Sequence, residues 1–148
     1  MKLGNGGPAR YIRELAHDNN VGGVNPGEGN VIAYNGEEGV YFQNPGVKNC
    51  SARGNKMFCN SQDSSGKGGI YTGGGNQGIP TPTIVIVSSN FVSGISLPHA
   101  KIDLYTADSC NTCEGAFYLA TAEADDYGVF TFNLPVFGKV TATANDPL

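Results

Sequence analysis

Asparagine and glycine return at a fixed step through the N-terminal half of this 148-residue chain. Gly29-Asn30-Val31-Ile32-Ala33-Tyr34-Asn35-Gly36 is echoed by Gly54-Asn55-Lys56-Met57-Phe58-Cys59-Asn60-Ser61, so Asn30 to Asn55 and Asn35 to Asn60 share a spacing of 25. Gly4-Asn5-Gly6-Gly7 falls one step further upstream and opens a third copy. The copies run on to a glycine followed by apolar residues, as in Gly39-Val40-Tyr41-Phe42 and Gly69-Ile70-Tyr71. A period between about 20 and 50 residues marks a solenoid. Short apolar runs split by Asn and Gly, with no long helical periodicity, make it a β-solenoid.

Each coil of such a stack turns corners where φ is positive, which Gly and Asn tolerate best. The equivalent residues Asn5, Asn30, Asn35, Asn55 and Asn60 are expected to stack as a ladder, each amide bonding its copy on the next coil. Ile32 with Met57, and Val40 with Ile70, should point inward. The stretch from Ala9 to His17 fits a strand in register with the repeat, in preference to a short capping helix.

The rhythm changes near Thr83. Thr83–Val87, Phe91–Ile95, Lys101–Tyr105, Phe117–Thr121, Val129–Phe132 and Lys139–Thr143 read as strands, separated by turn signals such as Asp125-Asp126-Tyr127-Gly128. Short strands at about 8–12-residue spacing predict a β-sandwich. Gly73-Gly74-Gly75-Asn76-Gln77-Gly78-Ile79-Pro80 joins the two parts, giving expected units of 1–80 and 81–148, all-β throughout. Charged residues at 15% and 22 glycines speak against a coiled coil, a helical bundle or a charged tail. A formal charge of −4 offers no basic surface to nucleic acid, and no apolar run approaches the roughly 20 residues that span a bilayer.

The N-terminal half resembles the last coils of a right-handed parallel β-helix of the pectate-lyase-like kind found in bacterial surface and secreted proteins. The residues that carry the likeness are Gly4–Gly7, Val21-Gly22-Gly23, Pro26 to Ile32, Gly36 to Val40, and Gly75 to Pro80. The second half is similar to the immunoglobulin-like sandwich that often follows such coils, through Ala100 to Asp108, Tyr118–Thr121, Gly128-Val129-Phe130 and Val140–Ala144. The resemblance implies about three coils followed by a sandwich. A final polar turn and short strand are missing after Ala144, and β-helices usually have more coils. Both departures suggest a piece of a longer protein, or a subunit completed by its neighbours.

Catalysis in β-helix enzymes that cut polysaccharides needs paired carboxylates, or a basic residue beside acid-bound calcium. The candidate acids are Glu14, Asp18, Glu28, Glu37, Glu38 and Asp63, and the candidate bases Arg10, Arg13 and Arg53, with no sequence feature joining an acid pair to a base. Glu37 and Glu38, if in a turn, read as solvated. His17 and His99 read as turn residues. The chain is therefore expected not to be an enzyme, and no cofactor is called for. The metal candidate is calcium on Asp125 and Asp126, in a turn with a permissive Gly128.

Cys50, Cys59, Cys110 and Cys113 allow three pairings, and the local one, Cys50–Cys59 with Cys110–Cys113, closes two short loops. A four-cysteine zinc site usually wants two C-x-x-C pairs, and the first spacing here is wrong for it. No apolar leader follows Met1, leaving a cytoplasmic protein or a piece of an exported one; the paired cysteines favour an extracellular or cell-surface setting. The reading that results is a structural module, a stalk or filament subunit that self-associates through open β edges. The alternative is a glycan-handling module using Tyr34, Tyr41, Phe42 and Tyr71.

Overall fold

The computed structural model describes residues 5–61, 68–110 and 114–145, and is all-β apart from one 3-10 turn at Asn76–Gly78. The first coil is made of β1 (Arg10–Ile12), β2 (Asn20–Gly22) and β3 (Val31–Ala33). The second repeats it as β4 (Val40–Phe42), β5 (Ser51–Arg53) and β6 (Lys56–Phe58), and β7 (Ile70–Thr72) begins a third. Every pairing among them is parallel: β1-β4-β7 on one side, β2-β5 on the next, β3-β6 on the last. Among the described residues there are thus two complete coils and one strand of another.

The middle residue of β3 and of β6 points inward, so Ile32 stacks on Met57. Val40 lies opposite Ile70, with Ile12, Phe42, Val47 and Ala52 completing the core of the coils. The expected strand from Ala9 to His17 contracts to Arg10–Ile12, with His17 making a single parallel bridge to Lys48.

The step between coils differs from side to side. Arg10 pairs with Val40, Asn20 with Ser51, and Val31 with Lys56. The turn from β2 to β3 is long and the turn from β5 to β6 is only Gly54-Asn55, which shortens the step on that side alone. The spacing of 25 therefore holds for Asn30–Asn55 and Asn35–Asn60 but cannot be extended upstream. Asn5 belongs over Asn35, not over Asn30: its N–H donates to Asn35 Oδ1 at 3.3 Å, and Gly36 N–H donates to its carbonyl at 2.7 Å.

The corners also differ from expectation. At three of the corners the positive-φ residue is the one just before a ladder asparagine: Gly54 (63°) before Asn55, Tyr34 (59°) before Asn35 and Cys59 (54°) before Asn60. The asparagines themselves contribute side chains. At Gly54 only glycine fits, because a Cβ there would overlap the Gly23 carbonyl of the coil above. Gly73-Gly74-Gly75 is another corner rather than a loose linker, since Gly73 N–H bonds Phe42 O at 2.8 Å and Gly75 is buried.

The C-terminal half forms two antiparallel three-stranded sheets. One is β12 (Val129–Phe132), β9 (Phe91–Ile95) and β8 (Thr83–Ser88); the other is β11 (Gly115–Glu123), β10 (Lys101–Ala107) and β13 (Val140–Asn145). Val92, Phe130 and Phe132 from the first meet Ile102, Leu104 and Ala142 from the second in one core. In β10 the alternate residues Asp103 and Tyr105 are buried too. Strand alternation sends them to the opposite face, where Arg53 of β5 and Gly54 of the turn after it meet them, while β6 packs against β11.

Candidate functional site

The stacked asparagines form two ladders. Asn55 Oδ1 accepts from Asn30 N–H and Nδ2, both at 3.0 Å, and Asn55 Nδ2 donates to Val21 O at 2.7 Å. Asn60 repeats the pattern below Asn35, with Asn35 Nδ2 donating at 2.7 Å and Asn60 Nδ2 reaching Ile32 O at 2.9 Å. Asn76 does the same for Cys50, donating to its carbonyl and accepting from its N–H. A coil exposes a row of backbone donors and acceptors, and each ladder residue satisfies several of them at a corner.

At the C-terminal end of the stack those rows are closed by the sheet beneath. Asn60 N–H donates to Glu114 Oε1 at 2.8 Å, and its amide to Glu114 Oε2 at 2.5 Å. Cys59 N–H donates to Asp108 Oδ2 at 3.0 Å, and Gly54 N–H to the Tyr105 hydroxyl at 2.9 Å. Arg53 Nε and Nη2 bind the Asp103 carboxylate at 2.8 and 2.6 Å, and Thr121 Oγ1 donates to it at 2.5 Å. Asp103 is fully buried while the Arg53 side chain is 21% exposed. The hydrogen bond to Asp103 raises the pKa of Arg53. Burial, reinforced by the Asp103 charge, pushes the Tyr105 hydroxyl up to about 12. A cavity of about 250 Å³ lies beside this junction, with Met57, Ile70, Tyr105, Glu114 and Thr143 in its walls.

Arg53, a candidate base from the sequence, is thus held in a salt bridge. Asp108 and Glu114 are end caps. Glu38 is buried with 2% exposure rather than solvated. The other acids stay apart: Glu28 is held at low pKa by hydrogen bonds from Asn25, Asp18 likewise by His17 and then Asn49, and Glu14 faces Arg13 at 3.7 Å. Asp63 lies outside the described residues. Arg13 sits over the Tyr11 ring.

Cys59 is bonded to Cys110, 51 residues away, and Cys50 is a buried free thiol. The local Cys50–Cys59 pairing is therefore overturned: Cys50 lies in the first corner of its coil, two strands before Cys59, whereas β10 ends against the Cys59 corner. The rest of the local scheme, Cys110–Cys113, fails with it; Cys113 itself lies outside the described residues. Around the disulfide, the sulfurs of Cys59 and Cys110 and a carboxylate oxygen of Asp108 lie within 4.8 Å of one another. Among the described residues no other three potential metal ligands converge in this way. Asp125 Oδ1 instead accepts the N–H groups of Tyr127 and Val129, and Asp126 faces His99 at 3.3 Å, so the two residues of the calcium candidate are engaged in turn geometry.

Among the described residues the opposite end of the stack has no comparable set of caps. Among those residues β1, β2 and β3 each have a strand neighbour on one side only. Tyr11, at this end, begins a column in which Tyr11, Tyr41 and Tyr71 follow at 5.0 and 5.1 Å. Tyr34 packs edge-on against Phe58, and Phe42 is in the core. A second edge, among the described residues, is β8, uncharged and paired to β9 alone, with Val85, Ile86 and Val87 exposed.

No protein-family model matches the chain, and none of the curated proteins is similar to it in sequence. Among the described residues no helix is long and apolar enough to cross a membrane.

Proposed function

We propose that the chain is a non-catalytic structural module, a short parallel β-helix seated on an immunoglobulin-like sandwich, that works by joining β edges to neighbouring strands outside the cell. The observation that carries this reading is the contrast between the two ends of the coil stack. One end has dedicated caps from Tyr105, Asp108 and Glu114. The other, among the described residues, leaves three strands with one strand neighbour each. Open strand edges invite pairing, and short repeat arrays depend on neighbour interfaces. The uncharged edge of β8 adds a second place for strand addition. The Cys59–Cys110 disulfide favours an oxidising setting.

Light scattering and sedimentation over a wide concentration range test the proposal. Concentration-dependent assembly is expected; a monomer at every concentration overturns it. A glycan-binding reading is second, favoured by the 42% exposure of Tyr11 at the open end of its column. Stacking places the Tyr41 ring between Tyr11 and Tyr71, which leaves little ring face for a sugar there. Pull-down on neutral and acidic polysaccharides tests it, and silence on both refutes it.

A further inference from the structure

We propose that Cys59, Cys110 and Asp108 form a redox-gated site for a thiophilic divalent cation of the Zn2+ class. The two sulfurs and one carboxylate oxygen lie within 4.8 Å of one another. Donors around one zinc, at about 2.0–2.3 Å from it, are about 3–4 Å apart. Small movements bring the three onto a single centre once the sulfurs separate. The donor set is chemically matched to this ion class, since two thiolates and a carboxylate suit zinc far better than calcium or magnesium.

The surroundings are already organised for ligation. Asp108 is oriented by N–H donors from Cys59 at 3.0 Å and from Glu114 at 3.2 Å, the kind of outer support that fixes a metal-binding carboxylate. Cys59 is buried, at a corner where φ is 54°, and the next residue is locked into the asparagine ladder and onto Glu114. The ligands come from both halves of the chain, so disulfide and metal are alternative clamps on the same junction. The local sequence hides this set: its members are brought together by folding across 51 residues.

The chemistry balances. Two thiols of a reductant supply two electrons and two protons; the Cys59–Cys110 bond breaks to two thiols, and the reductant leaves as its disulfide. Zn2+ then replaces the two thiol protons, which pass to solvent, and binds both thiolates and Asp108. A fourth position stays open to water or another donor. The site does not rest on the scaffold reading, because it concerns the junction and not the open edges.

The test uses the whole chain carrying Cys50→Ser and Cys113→Ser, which leaves Cys59 and Cys110 as the cysteines. Titration with Co2+ and then Zn2+ is followed by absorbance before and after reduction with a phosphine. The reduced protein is expected to take up one Co2+ per chain with sulfur-to-cobalt charge-transfer bands, and the oxidised protein none. Adding Cys110→Ser should abolish the bands, and Asp108→Asn should weaken binding at least about 10-fold. No uptake by the reduced protein overturns the proposal. So does equal uptake by the oxidised protein or by the Asp108→Asn variant. Circular dichroism guards against trivial loss: a reduced chain that unfolds and does not regain its sheet signal with Zn2+ also refutes the site.

Discussion

Removing Arg53 should harm this protein more than removing the charge of Asp103, although the two residues form one salt bridge. Asp103 has no exposure and accepts from Arg53 at 2.8 and 2.6 Å, from Thr121 at 2.5 Å and from Asn145 at 3.3 Å. Without Arg53 its carboxylate keeps only neutral donors and has no route to water. Stranding a buried charge in this way costs about 3–5 kcal/mol. In the Asp103→Asn variant the cation left behind is Arg53, whose side chain is 21% exposed and can turn to solvent, so the loss should be about 2 kcal/mol. Replacing both, as Arg53→Met with Asp103→Leu, leaves no stranded charge and should fall within about 1 kcal/mol of the parent. Thr121 keeps a partner in that double variant through the Tyr118 hydroxyl at 2.8 Å. Urea unfolding of the parent and the variants, followed by circular dichroism and tyrosine fluorescence, gives the ranking and, from the Met and Leu singles, the coupling. The pair ties the coils to the sheet, so Arg53→Met should also split the two probes into separate transitions. A coupling below about 0.5 kcal/mol, or a greater loss from Asp103→Asn than from Arg53→Met, refutes the reasoning.

Three further outcomes follow from the same geometry. Asn60→Ala removes the acceptor of the buried Asn35 amide and the amide donor to the Ile32 carbonyl and to Glu114; it should cost about 3 kcal/mol or more, Asn55→Ala less and the exposed Asn5→Ala least, read as shifts in the urea midpoint. Tyr105 has a folded pKa of about 12 against an ordinary value of about 10, so folding favours its protonated form. Its contribution is full below pH 10 and is lost as pH rises from about 10 to about 12, by about 2–3 kcal/mol in all. Stability measured at pH 9 and pH 12 should therefore fall less steeply in Tyr105→Phe than in the parent, and parallel profiles would contradict the assignment. Gly54→Ala and Gly138→Ala both place alanine at positive φ, but only Gly54 faces a carbonyl where the Cβ would sit. The Gly138 change should cost about 1–2 kcal/mol, and the Gly54 change clearly more, by thermal unfolding; equal losses would remove the steric argument.

The sheet-rich character and most strand positions were legible because alternation and turn residues are local signals. Ile32 over Met57 and Asn35 over Asn60 were readable from one repeated spacing. Asn5 was misplaced because that spacing belongs to a single side of the coil, where Gly54-Asn55 makes a short turn. The disulfide was missed for a different reason. Loop length favours near partners, but burial of β10 against the coils brings Cys110 to Cys59. Asp103 and Tyr105 carried a faint warning, as polar or partly polar residues interleaved with Ile102 and Leu104 in a strand that has no solvent face. Glu114 offered none, since an acid after a cysteine looks the same whether it meets water or an asparagine ladder.

The glutamate beneath Asn60 gives the stack a direction. Its two oxygens accept from the final corner's N–H and amide, so that site is already occupied on the downstream side. Rungs can be added in front of Arg10–Ile12 without disturbing the sheet that carries Glu114, whereas inserting one after Lys56–Phe58 would part Arg53, Gly54, Cys59 and Asn60 from Asp103, Tyr105, Asp108 and Glu114. Length in such an architecture can therefore be varied only from the front, with the C-terminal module serving as a fixed base on which a column of any height is built.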